Sequence, residues 1–455
     1  MVIPRIVVAA PSSGAGKTTV AVGLMAALRR AGHTVAGFKV GPDYIDPGFH
    51  AVATGRAGRN LDPMLSGEDR VAPLFAHGSA GADVAVVEGV MGLYDGALGT
   101  EGYSSTAHVA KLLQAPVVLV VDASAAGRSV GAVVTGFVAF DTGVRIVGVI
   151  LNKVGSDRHE AEVRAGVAPT GVPVLGVLRR DTRLTMPSRH LGLVPADEQR
   201  GQAEAAVEAA AELVRQGVDL AAFIAAARAA MPIEVEAWEP ANEVTPAEGP
   251  QPVVAIAGGP VFSFRYSETA ELLTAAGAEV VAFDPLEELL PEATSALYLG
   301  GGFPEMHAEA LSANVKLREQ VAAEIAGGLP VVAECAGLLY LCRELDGHRM
   351  TGVLPAAARM TSSLTLGYRT AVAATTNALY DEGRRVRGHE FHRTAVTYDS
   401  DQLAAWYLPG GAEGVAEGVA WPQLHASYLH LHWTATPDVP ARFVAAARVH
   451  AGLEP

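Results

Sequence analysis

The feature that most constrains this chain is the stretch APSSGAGKTT at residues 10–19. It is entered from an apolar run at residues 6–10 and followed by an apolar segment at residues 20–28. A strand–loop–helix unit of this kind points backbone N–H groups inward at a helix N-terminus, where they and a lysine can hold nucleotide phosphates. The stretch therefore predicts a phosphate loop, although Pro11 stands where the full motif has glycine.

The loop contains the residues that would contact a nucleotide. Lys17 is expected to reach the β- and γ-phosphates, and the hydroxyl of Thr18 is the expected ligand of Mg²⁺. An ordinary glycine-rich turn is the alternative, but the strand and the helix flank the loop on the sides that a nucleotide site requires. The predicted nucleotide contacts in this loop are Gly14, Gly16, Lys17, Thr18 and Thr19.

Further short apolar runs, separated by helix-length sequence, predict that the first half is a doubly wound parallel sheet. Ligands of such sheets lie at the carboxyl ends of the strands, where acidic residues fall in this chain. Asp43 and Glu88 are the predicted Mg²⁺ ligands beside Thr18, with capping or turn acids as the alternative interpretation. The runs are residues 33–40, 83–87, 116–121, 144–151 and 172–177.

Other polar residues near these strand ends are predicted to contact ligands. Tyr44, Asp46 and Asp95 are the predicted substrate contacts, and turn formation is the alternative role of the two acids. Asp122 is expected to orient the site. Asn152 follows a strand where base-recognising residues often lie, which suggests contact with adenine, although Asn-Lys is also a common loop pair.

A segment rich in proline and acidic residues, 231–252, separates two strand–helix series and is the predicted linker. Residues 1–230 form the predicted first domain, which ends in an alanine-rich helical stretch. Residues 253–455 form the predicted second domain, which begins with another series of buried strands. Beyond Leu345 the pattern indicates shorter segments with fewer helices.

Composition narrows the classes of partner. The chain has 34 Lys and Arg against 49 Asp and Glu, and the resulting charge of −15 opposes binding to a phosphate backbone, so no nucleic acid is expected. Its two cysteines, Cys335 and Cys342, cannot form a disulfide framework, which fits a reducing cytoplasm. Neither a signal-peptide pattern nor a long uninterrupted apolar run occurs, so we expect a cytoplasmic protein without a membrane partner.

Cys335 lies in the sequence VVAECAGLLYL at residues 331–341, between a buried strand and a helix. Its small neighbours permit a sharp turn. A thiolate at a helix N-terminus is favoured by the helix dipole and becomes a nucleophile when a base is near. Cys335 is therefore the predicted nucleophile. A buried structural thiol is the alternative, and that interpretation fits Cys342 well.

The sequence GGGFPE at residues 300–305 follows a strand and could supply backbone N–H groups to a tetrahedral oxyanion. Gly301 and Gly302 are the predicted donors in this turn, and the N–H of Ala336 is a further predicted donor. A glycine turn without function is the alternative interpretation.

The base is predicted to be a histidine of the segment HASYLHLHW, which indicates a strand at residues 425–433. Residues i and i+2 share one face of a strand, so His430 and His432 could both approach Cys335. The sequence does not separate the two. A surface strand with exposed histidines is the alternative, and residues 388–393 are expected to make substrate or interdomain contacts.

Taken in order, these motifs make the chain resemble the glutamine-dependent a,c-diamide synthases of corrin biosynthesis, which act on cobyrinic or hydrogenobyrinic acid. The resemblance covers nearly the whole chain. It is carried by PSSGAGKTT at 11–19, KVGPDYIDP at 39–47, VEGVMGLYDG at 87–96, GGGFPE at 300–305, AECAG at 333–337, GHEFH at 388–392 and SYLHLH at 427–432.

The resemblance implies an N-terminal phosphate-loop domain similar to dethiobiotin synthetase and a C-terminal glutamine amidotransferase domain of the class I, triad type. It further implies ATP and Mg²⁺ as cofactors, glutamine and a corrinoid as small-molecule partners, and it allows a homodimer. In the implied reaction Cys335 releases ammonia from glutamine through a thioester. Ammonia then passes to the other domain, where ATP has activated a substrate carboxylate as an acyl phosphate.

Three features depart from the usual pattern of such domains. His432 stands where the third acid of the triad would follow His430, and this branch of the family lacks that acid. Ala333 replaces the first glycine of the nucleophile turn, and residues 258–266 lack an acidic start. Alternatives are an enzyme similar to cobyric acid synthase or nickel-sirohydrochlorin a,c-diamide synthase, and a phosphate-loop ATPase that carries a glutaminase-like module without synthesis.

Overall fold

The chain folds into two compact units, one up to Trp238 and the other from Glu239 onwards. Within the described part of the chain, no helix combines the length and the apolar character that crossing a lipid bilayer requires. The computed structural model describes residues 3–180, 188–189, 192–410 and 414–454.

The boundary between the units lies inside the segment 231–252 that was predicted as a linker, and both parts of the segment are held by hydrogen bonds. Before the boundary, the backbone N–H of Trp238 donates to the carbonyl of Pro73 at 3.0 Å. After it, the guanidinium of Arg448 donates to the carbonyls of Glu248 and Pro250 at 2.7 Å each. The segment is therefore packed against the units rather than extended freely.

The first unit is built on a seven-stranded sheet in which all neighbouring strands are parallel. Its strands are β1 Arg5–Ala9, β2 Val35–Val40, β3 Arg59–Leu61, β4 Val84–Glu88, β5 Val117–Asp122, β6 Ile146–Val154 and β7 Val174–Arg179. The order β3-β2-β4-β1-β5-β6-β7 places β1 in the middle, with the chain winding outward in both directions. The predicted doubly wound parallel sheet is confirmed, and β3 is an additional strand.

Helices connect these parallel strands, because a parallel pair cannot be joined by a tight hairpin. Gly23 in the first helix lets the long alanine-rich helix approach closely, since a Cβ there would lie 2.5 Å from the carbonyl oxygen of Ala210. The unit also holds the antiparallel pair β8 Ser188–Arg189 and β9 Gly192–Leu193. The helices are α1 Lys17–Arg30, α2 Asp46–Thr54, α3 Pro63–Ser66, α4 Glu68–Gly78, α5 Thr106–Leu112, α6 Val130–Phe140, α7 Asp157–Val167, α8 Arg200–Gly217 and α9 Leu220–Arg228.

The second unit contains two sheets. Its strands are β10 Val253–Ala257, β11 Glu279–Phe283, β12 Thr294–Leu299, β13 Val331–Glu334, β14 Cys342–Leu345, β15 His348–Arg349, β16 Leu354–Ala373, β17 Arg385–Tyr398, β18 Trp406–Leu408, β19 Val415–Glu417, β20 Val419–Trp421, β21 Leu424–Ser427 and β22 His430–Leu431. The helices are α10 Pro240–Glu243, α11 Ser267–Ala275, α12 Ala308–Ala313, α13 Val315–Ala326, α14 Ala336–Leu341 and α15 Asp438–His450.

The first of these sheets has the order β11-β10-β12-β13-β21-β20, with parallel neighbours except for β20, which pairs antiparallel with β21. The second sheet follows the path β15-β14-β16-β17-β22, with β18 and β19 attached through β16. Strands β16 and β17 have 20 and 14 residues, so the prediction of shorter segments beyond Leu345 is wrong for this hairpin. The α/β character predicted for the second domain is confirmed.

The prediction of one strand over residues 425–433 is wrong. The chain forms β21 in the first sheet and β22 in the second, and the turn between them is held by Glu417. The Glu417 carboxylate accepts hydrogen bonds from the hydroxyl of Ser427 at 2.6 Å and the backbone N–H of Tyr428 at 2.8 Å. These bonds hold the turn between β21 and β22, and because the two strands belong to different sheets, His430 and His432 do not share the face of one strand.

Candidate active sites

Lys17 begins helix α1 directly after the phosphate loop and is buried. Gly14 and Gly16 have φ angles of 80° and 90°, a left-handed conformation that glycine adopts without the strain of a Cβ. The Lys17 ammonium donates to the carbonyl of Met91 at 2.5 Å. Burial and the neighbouring Lys39 lower the pKa of Lys17 to about 8. An anionic ligand in the loop would therefore stabilise the charged form of this lysine.

Thr18 follows in the first turn of α1, and its hydroxyl donates to Glu88 Oε1 at 2.6 Å. Glu88 ends strand β4 and is fully buried. Lys39 Nζ lies 2.9 Å from the same carboxylate, and His50 Nε2 lies 2.7 Å from its other oxygen. Burial alone would raise the pKa of Glu88, but Lys39 and His50 hold it well below its usual range. The carboxylate is therefore ionised beside the Thr18 hydroxyl.

Asp46 belongs to the same cluster. It forms a buried ion pair with Lys39, and its carboxylate lies 3.4 Å from the Thr18 hydroxyl. Burial, together with the charges of Asp43 and Glu88, raises the pKa of Asp46 well above its usual value. Two carboxylates thus share one lysine ammonium. A divalent cation would stabilise the second negative charge, so these oxygen donors fit the chemistry of Mg²⁺.

Asp43 has a different environment from the one predicted for a metal ligand. Its Oδ1 accepts hydrogen bonds from the backbone N–H groups of Ile45 and Asp46, at 2.8 and 2.9 Å, and so forms the turn that begins α2. The sequence left a turn role for Asp43 as the alternative to metal binding. The two hydrogen bonds to Asp43 Oδ1 are those of a turn. Among the described residues no group of three or more His, Cys, Asp or Glu side chains could hold a metal ion, although phosphate-bound Mg²⁺ needs only one or two carboxylates.

The remaining predicted substrate contacts lie on the same loops. Tyr44 follows Asp43 in the turn before α2. Asp95 accepts a hydrogen bond from the backbone N–H of Gly92 at 2.9 Å and therefore shapes the loop after β4. A Cβ on Gly92 would lie 2.5 Å from Asp95 Oδ2 and 2.7 Å from the carbonyl oxygen of Pro11, so Asp95 lies near the start of the phosphate loop.

Asn152, predicted to contact adenine, lies against the phosphate loop. Its side-chain amide donates to the carbonyl of Ala15 at 2.9 Å, and a Cβ on Gly16 would lie 2.3 Å from the same nitrogen. The next residue, Lys153, donates to the Gly14 carbonyl at 2.8 Å and to Asp122 at 2.6 Å. Asn152 and Lys153, near the end of β6, therefore hold the phosphate loop in place through hydrogen bonds to its carbonyl groups.

Cys335 lies between β13 and α14 with φ 50° and ψ −96°, a strained conformation for a residue with a Cβ. Its backbone N–H donates to the Ser427 carbonyl at 2.7 Å, and the thiol is almost completely buried. Gly337 lets α14 lie close to the end of β12, because a Cβ there would lie 2.4 Å from the Leu299 carbonyl oxygen. The strand–turn–helix geometry expected for the nucleophile is therefore present, with Ala333 in place of glycine.

Two backbone N–H groups affect the pKa of the Cys335 thiol. Burial and Glu305 raise the pKa of Cys335 to about 12, whereas hydrogen bonds from the backbone of Gly302 and Ala336 act to lower it. These two residues were among the predicted oxyanion donors. The third, Gly301, needs correction because its N–H donates to the carbonyl of Phe264 at 3.1 Å.

Gly301 instead provides space for His430. A Cβ at residue 301 would lie 2.2 Å from His430 Cε1, so only glycine accommodates the ring in its present place. His430 Nδ1 lies 3.9 Å from Glu334 Oε2, and the histidine is fully buried. Burial, followed by the charges of His389 and His392, lowers the pKa of His430 to about 3. The imidazole is therefore neutral, as a general base must be.

His432 occupies a separate environment. Its Nε2 lies 3.8 Å from Glu268 Oε2, and its Nδ1 lies 2.8 Å from the hydroxyl of Thr434. Its ring packs on Tyr266 with a centroid distance of 4.3 Å. The structure thus places His430 against Glu334 and Gly301, the chain neighbours of Cys335 and Gly302, and places His432 against the beginning of α11.

Sequence reasoning gave no role to Lys39, His50, Glu268 or Glu334. Each is a polar residue, fully or almost fully buried, that completes a cluster by pairing with a residue distant in the chain. The available signal was an ionisable residue inside an apolar stretch, as in β2 and β13, because such a residue must be paired when it is buried.

Comparisons with known proteins agree with this division of the chain. The CobQ/CobB/MinD/ParA nucleotide binding domain matches residues 6–194, and the CobB/CobQ-like glutamine amidotransferase domain matches residues 253–438. Hydrogenobyrinate a,c-diamide synthase of Thermobifida fusca is 55% identical over 98% of this chain and 97% of its own length. The protein of the same name from Streptomyces coelicolor is 55% identical over 98% of both chains.

More distant relatives carry a related name. Cobyrinate a,c-diamide synthase of Synechococcus sp. is 40% identical over 97% of this chain and 98% of its own length. The similarity to both groups extends through the nucleotide-binding unit and the unit that contains Cys335. This chain therefore belongs to the a,c-diamide synthase family, with a nucleotide-binding domain followed by a glutamine amidotransferase domain.

Proposed function

We propose that this chain uses ATP and glutamine to convert the a and c carboxylates of hydrogenobyrinate into amides. The proposal depends on one observation: the same chain contains two different sites. One is the cluster of Lys17, Thr18 and Glu88 at the phosphate loop, and the other is the turn that carries Cys335. The relatives named for hydrogenobyrinate are 55% identical to this chain, and those named for cobyrinate are 40–41% identical. We therefore favour the cobalt-free substrate.

In the glutaminase half, Cys335 Sγ attacks the side-chain carboxamide carbon of glutamine. His430 accepts the thiol proton and returns it to the leaving nitrogen, so that the C–N bond breaks, ammonia leaves and a thioester remains. Water then hydrolyses the thioester to glutamate and regenerates the thiol. The N–H groups of Gly302 and Ala336 are aimed at the region of the sulfur, where they would stabilise the tetrahedral oxyanion.

In the synthetase half, the loop N–H groups and Lys17 hold the phosphates of ATP while a substrate carboxylate attacks the γ-phosphorus. ADP leaves and an acyl phosphate forms; ammonia then displaces phosphate and leaves the amide. Thr18 and Glu88 would hold Mg²⁺, with Asp46 beside them, and the metal would neutralise negative charge on the transferring phosphoryl group. Lys39 and His50 keep Glu88 ionised for this role.

The residues on the neighbouring loops have supporting roles in this proposal. Asn152 and Lys153 hold the phosphate loop through the carbonyls of Ala15 and Gly14. Tyr44 and Asp95 lie on the loops at the strand ends and are the proposed substrate contacts. Asp43 shapes the turn that carries Asp46 towards Thr18.

Product analysis of three variants tests the proposal. Cys335→Ala should lose diamide formation with glutamine but keep it with a high concentration of ammonium, whereas Lys17→Ala should lose it with both donors. Cys342→Ala is the matched control, since this second thiol is buried at the start of β14 and donates to the Leu338 carbonyl of the preceding helix α14 at 3.4 Å. It should keep glutamine use.

Mass spectrometry of products from hydrogenobyrinic and cobyrinic acids, each with ATP and glutamine, identifies the substrate. Preferential conversion of cobyrinic acid would contradict the choice of the cobalt-free macrocycle. Release of phosphate from ATP without any amide would contradict synthesis altogether and favour a nucleotide switch. Continued use of glutamine by Cys335→Ala would show that the nucleophile is wrongly assigned.

A further inference from the structure

The acid that usually supports the base of a glutamine amidotransferase triad is absent from its expected place. His432 occupies the position two residues after His430. A histidine that deprotonates a thiol gains from a hydrogen-bond acceptor on its other ring nitrogen, which fixes the tautomer and stabilises the imidazolium that forms. The described part of the second unit holds two buried carboxylates near these histidines, Glu334 and Glu268.

Glu334 is the carboxylate that faces His430. Its Oε2 lies 3.9 Å from His430 Nδ1 and accepts a hydrogen bond from the Tyr298 hydroxyl at 3.0 Å. Its Oε1 accepts from the backbone N–H of Leu431, the residue after the base, at 3.4 Å. The carboxylate is thus held at both oxygens, one from β12 and one from β22.

The position of Glu334 in the chain gives it access to both catalytic groups. It is the last residue of β13, and Cys335 follows it with φ 50°, which turns the chain out of the strand direction. Successive residues of a regular strand point to opposite faces, so without this turn the thiol and the carboxylate would diverge. Because Nδ1 is the nitrogen nearest Glu334, Nε2 is the ring nitrogen that would accept the thiol proton.

We propose that Glu334 is the positioning acid of this glutaminase and acts on Nδ1 of His430 in place of the missing third member of the triad. The inference rests on the proposed roles of Cys335 and His430. The 3.9 Å separation is longer than a hydrogen bond, and catalytic contacts of this kind tighten when substrate binds. Glu268, which faces His432, is the rival acid.

Two isosteric substitutions distinguish these acids. Glu334→Gln removes the carboxylate beside His430, and Glu268→Gln is the matched control beside His432. Kinetics of diamide formation are measured against glutamine and, separately, against ammonium, and the alkylation rate of Cys335 by iodoacetamide is measured on the same preparations. Synthesis with ammonium shows whether the variant is folded and whether its synthetase half is active, because this reaction does not need the glutaminase.

Glu334→Gln should lower kcat with glutamine at least about tenfold and slow alkylation, because an amide cannot carry the negative charge that stabilises the imidazolium of His430. The KM for glutamine and ammonium-dependent synthesis should change less than about threefold, and Glu268→Gln should keep kcat with glutamine. A purely structural role would instead reduce synthesis with both nitrogen donors. Normal glutamine-dependent kcat in Glu334→Gln, or a loss confined to Glu268→Gln, would overturn the proposal.

Tyr298→Phe is the second variant, for use if Glu334→Gln loses ammonium-dependent synthesis as well. It removes only the hydroxyl that orients Glu334 Oε2, so kcat with glutamine should still fall while synthesis with ammonium persists. An unchanged kcat in Tyr298→Phe would then count against Glu334. Failure of the Cys335 assignment is recognised separately, because Cys335→Ala would then still use glutamine. Failure of the His430 assignment is recognised if His430→Ala keeps its kcat with glutamine.

Discussion

Replacement of Gly301 by alanine tests directly which histidine serves Cys335. The backbone at Gly301 does not have a positive φ, so alanine adds steric volume without backbone strain. The new Cβ would lie 2.2 Å from His430 Cε1, and the ring must retreat by about 1.2 Å to restore the 3.4 Å of ordinary van der Waals contact. The Cβ of Phe264, at 3.1 Å, restricts movement of residue 301 on another side.

The size of the expected effect follows from this displacement. Misplacement of a catalytic group by about 1 Å can cost about 100-fold in rate, which corresponds to about 2.7 kcal/mol in the activation free energy. Overpacking should also lower the free energy of unfolding by about 1–3 kcal/mol. The melting temperature of a unit of this size should fall by about 2–4 °C for each kcal/mol lost.

The assay compares initial rates of diamide formation with glutamine and with ammonium at saturating ATP. Gly301→Ala should lose about 100-fold with glutamine and keep its rate with ammonium. Gly136→Ala is the control, because an added Cβ at this exposed helical position meets nothing within 4 Å. If Gly301→Ala matches this control with glutamine, His430 is not the base, and His432 must be tested by its own substitution.

Three further outcomes are expected in the first unit. Asn152→Ala should raise the KM for ATP about tenfold with either nitrogen donor, because the phosphate loop loses the hydrogen bond to Ala15; steady-state kinetics with an unchanged KM would count against this. ATP binding near pH 8.5 should take up a fraction of a proton, because Lys17 has a pKa of about 8 in the free chain and gains phosphates as partners. Calorimetry in two buffers of different ionisation enthalpy measures this, and proton release would contradict it. Glu88 has a lowered pKa, so its contribution to stability is present above the unfolded value of 4.5 and is lost as the pH falls towards the folded value. Thermal unfolding of Glu88→Gln should therefore depend less on pH below about 4.5 than that of the parent chain, and equal slopes would contradict the assignment.

The parallel sheet of the first unit was predictable because its strands are buried on both faces and appear as uninterrupted apolar runs. Strand β3 was missed, since its three residues, Arg59–Leu61, include two polar ones and depend on pairing with β2. The long hairpin of β16 and β17 was missed for a related reason. Many of its residues are half-buried or exposed, and mixed sequence of this kind gives little periodic signal.

The candidate site residues that lie within one local motif were easier to find in the sequence than those that depend on distant pairing. Lys17, Thr18 and Cys335 each lie at a strand–turn–helix junction that the sequence displays directly. The choice between Asp43 and Asp46 depended on which carboxylate turns towards Thr18, and the first turn of α2 decides that. Gly301 failed as an oxyanion donor because its N–H pairs with Phe264, a contact that no local pattern reveals.

Glu88 and Glu334 show why a sequence pattern alone does not fix the chemistry of a carboxylate. Each is a buried glutamate that ends an apolar parallel strand. Glu88 has Lys39 and His50 as neighbours, and these hold its pKa well below the usual range. The hydroxyl and N–H donors of Glu334 do not offset its burial, which raises its pKa to about 8.

This difference suits the two reactions. A permanent negative charge at Glu88 stabilises the Lys39 ammonium beside it and would attract the proposed Mg²⁺. A permanent charge at Glu334 would oppose formation of a thiolate on the next residue, Cys335. When His430 accepts the thiol proton, the imidazolium that forms can donate its Nδ1–H to a Glu334 oxygen, so the new positive charge lies beside the acid. The positive charge beside Glu334 thus forms only when proton transfer begins, whereas the negative charge of Glu88 is present before ATP binds.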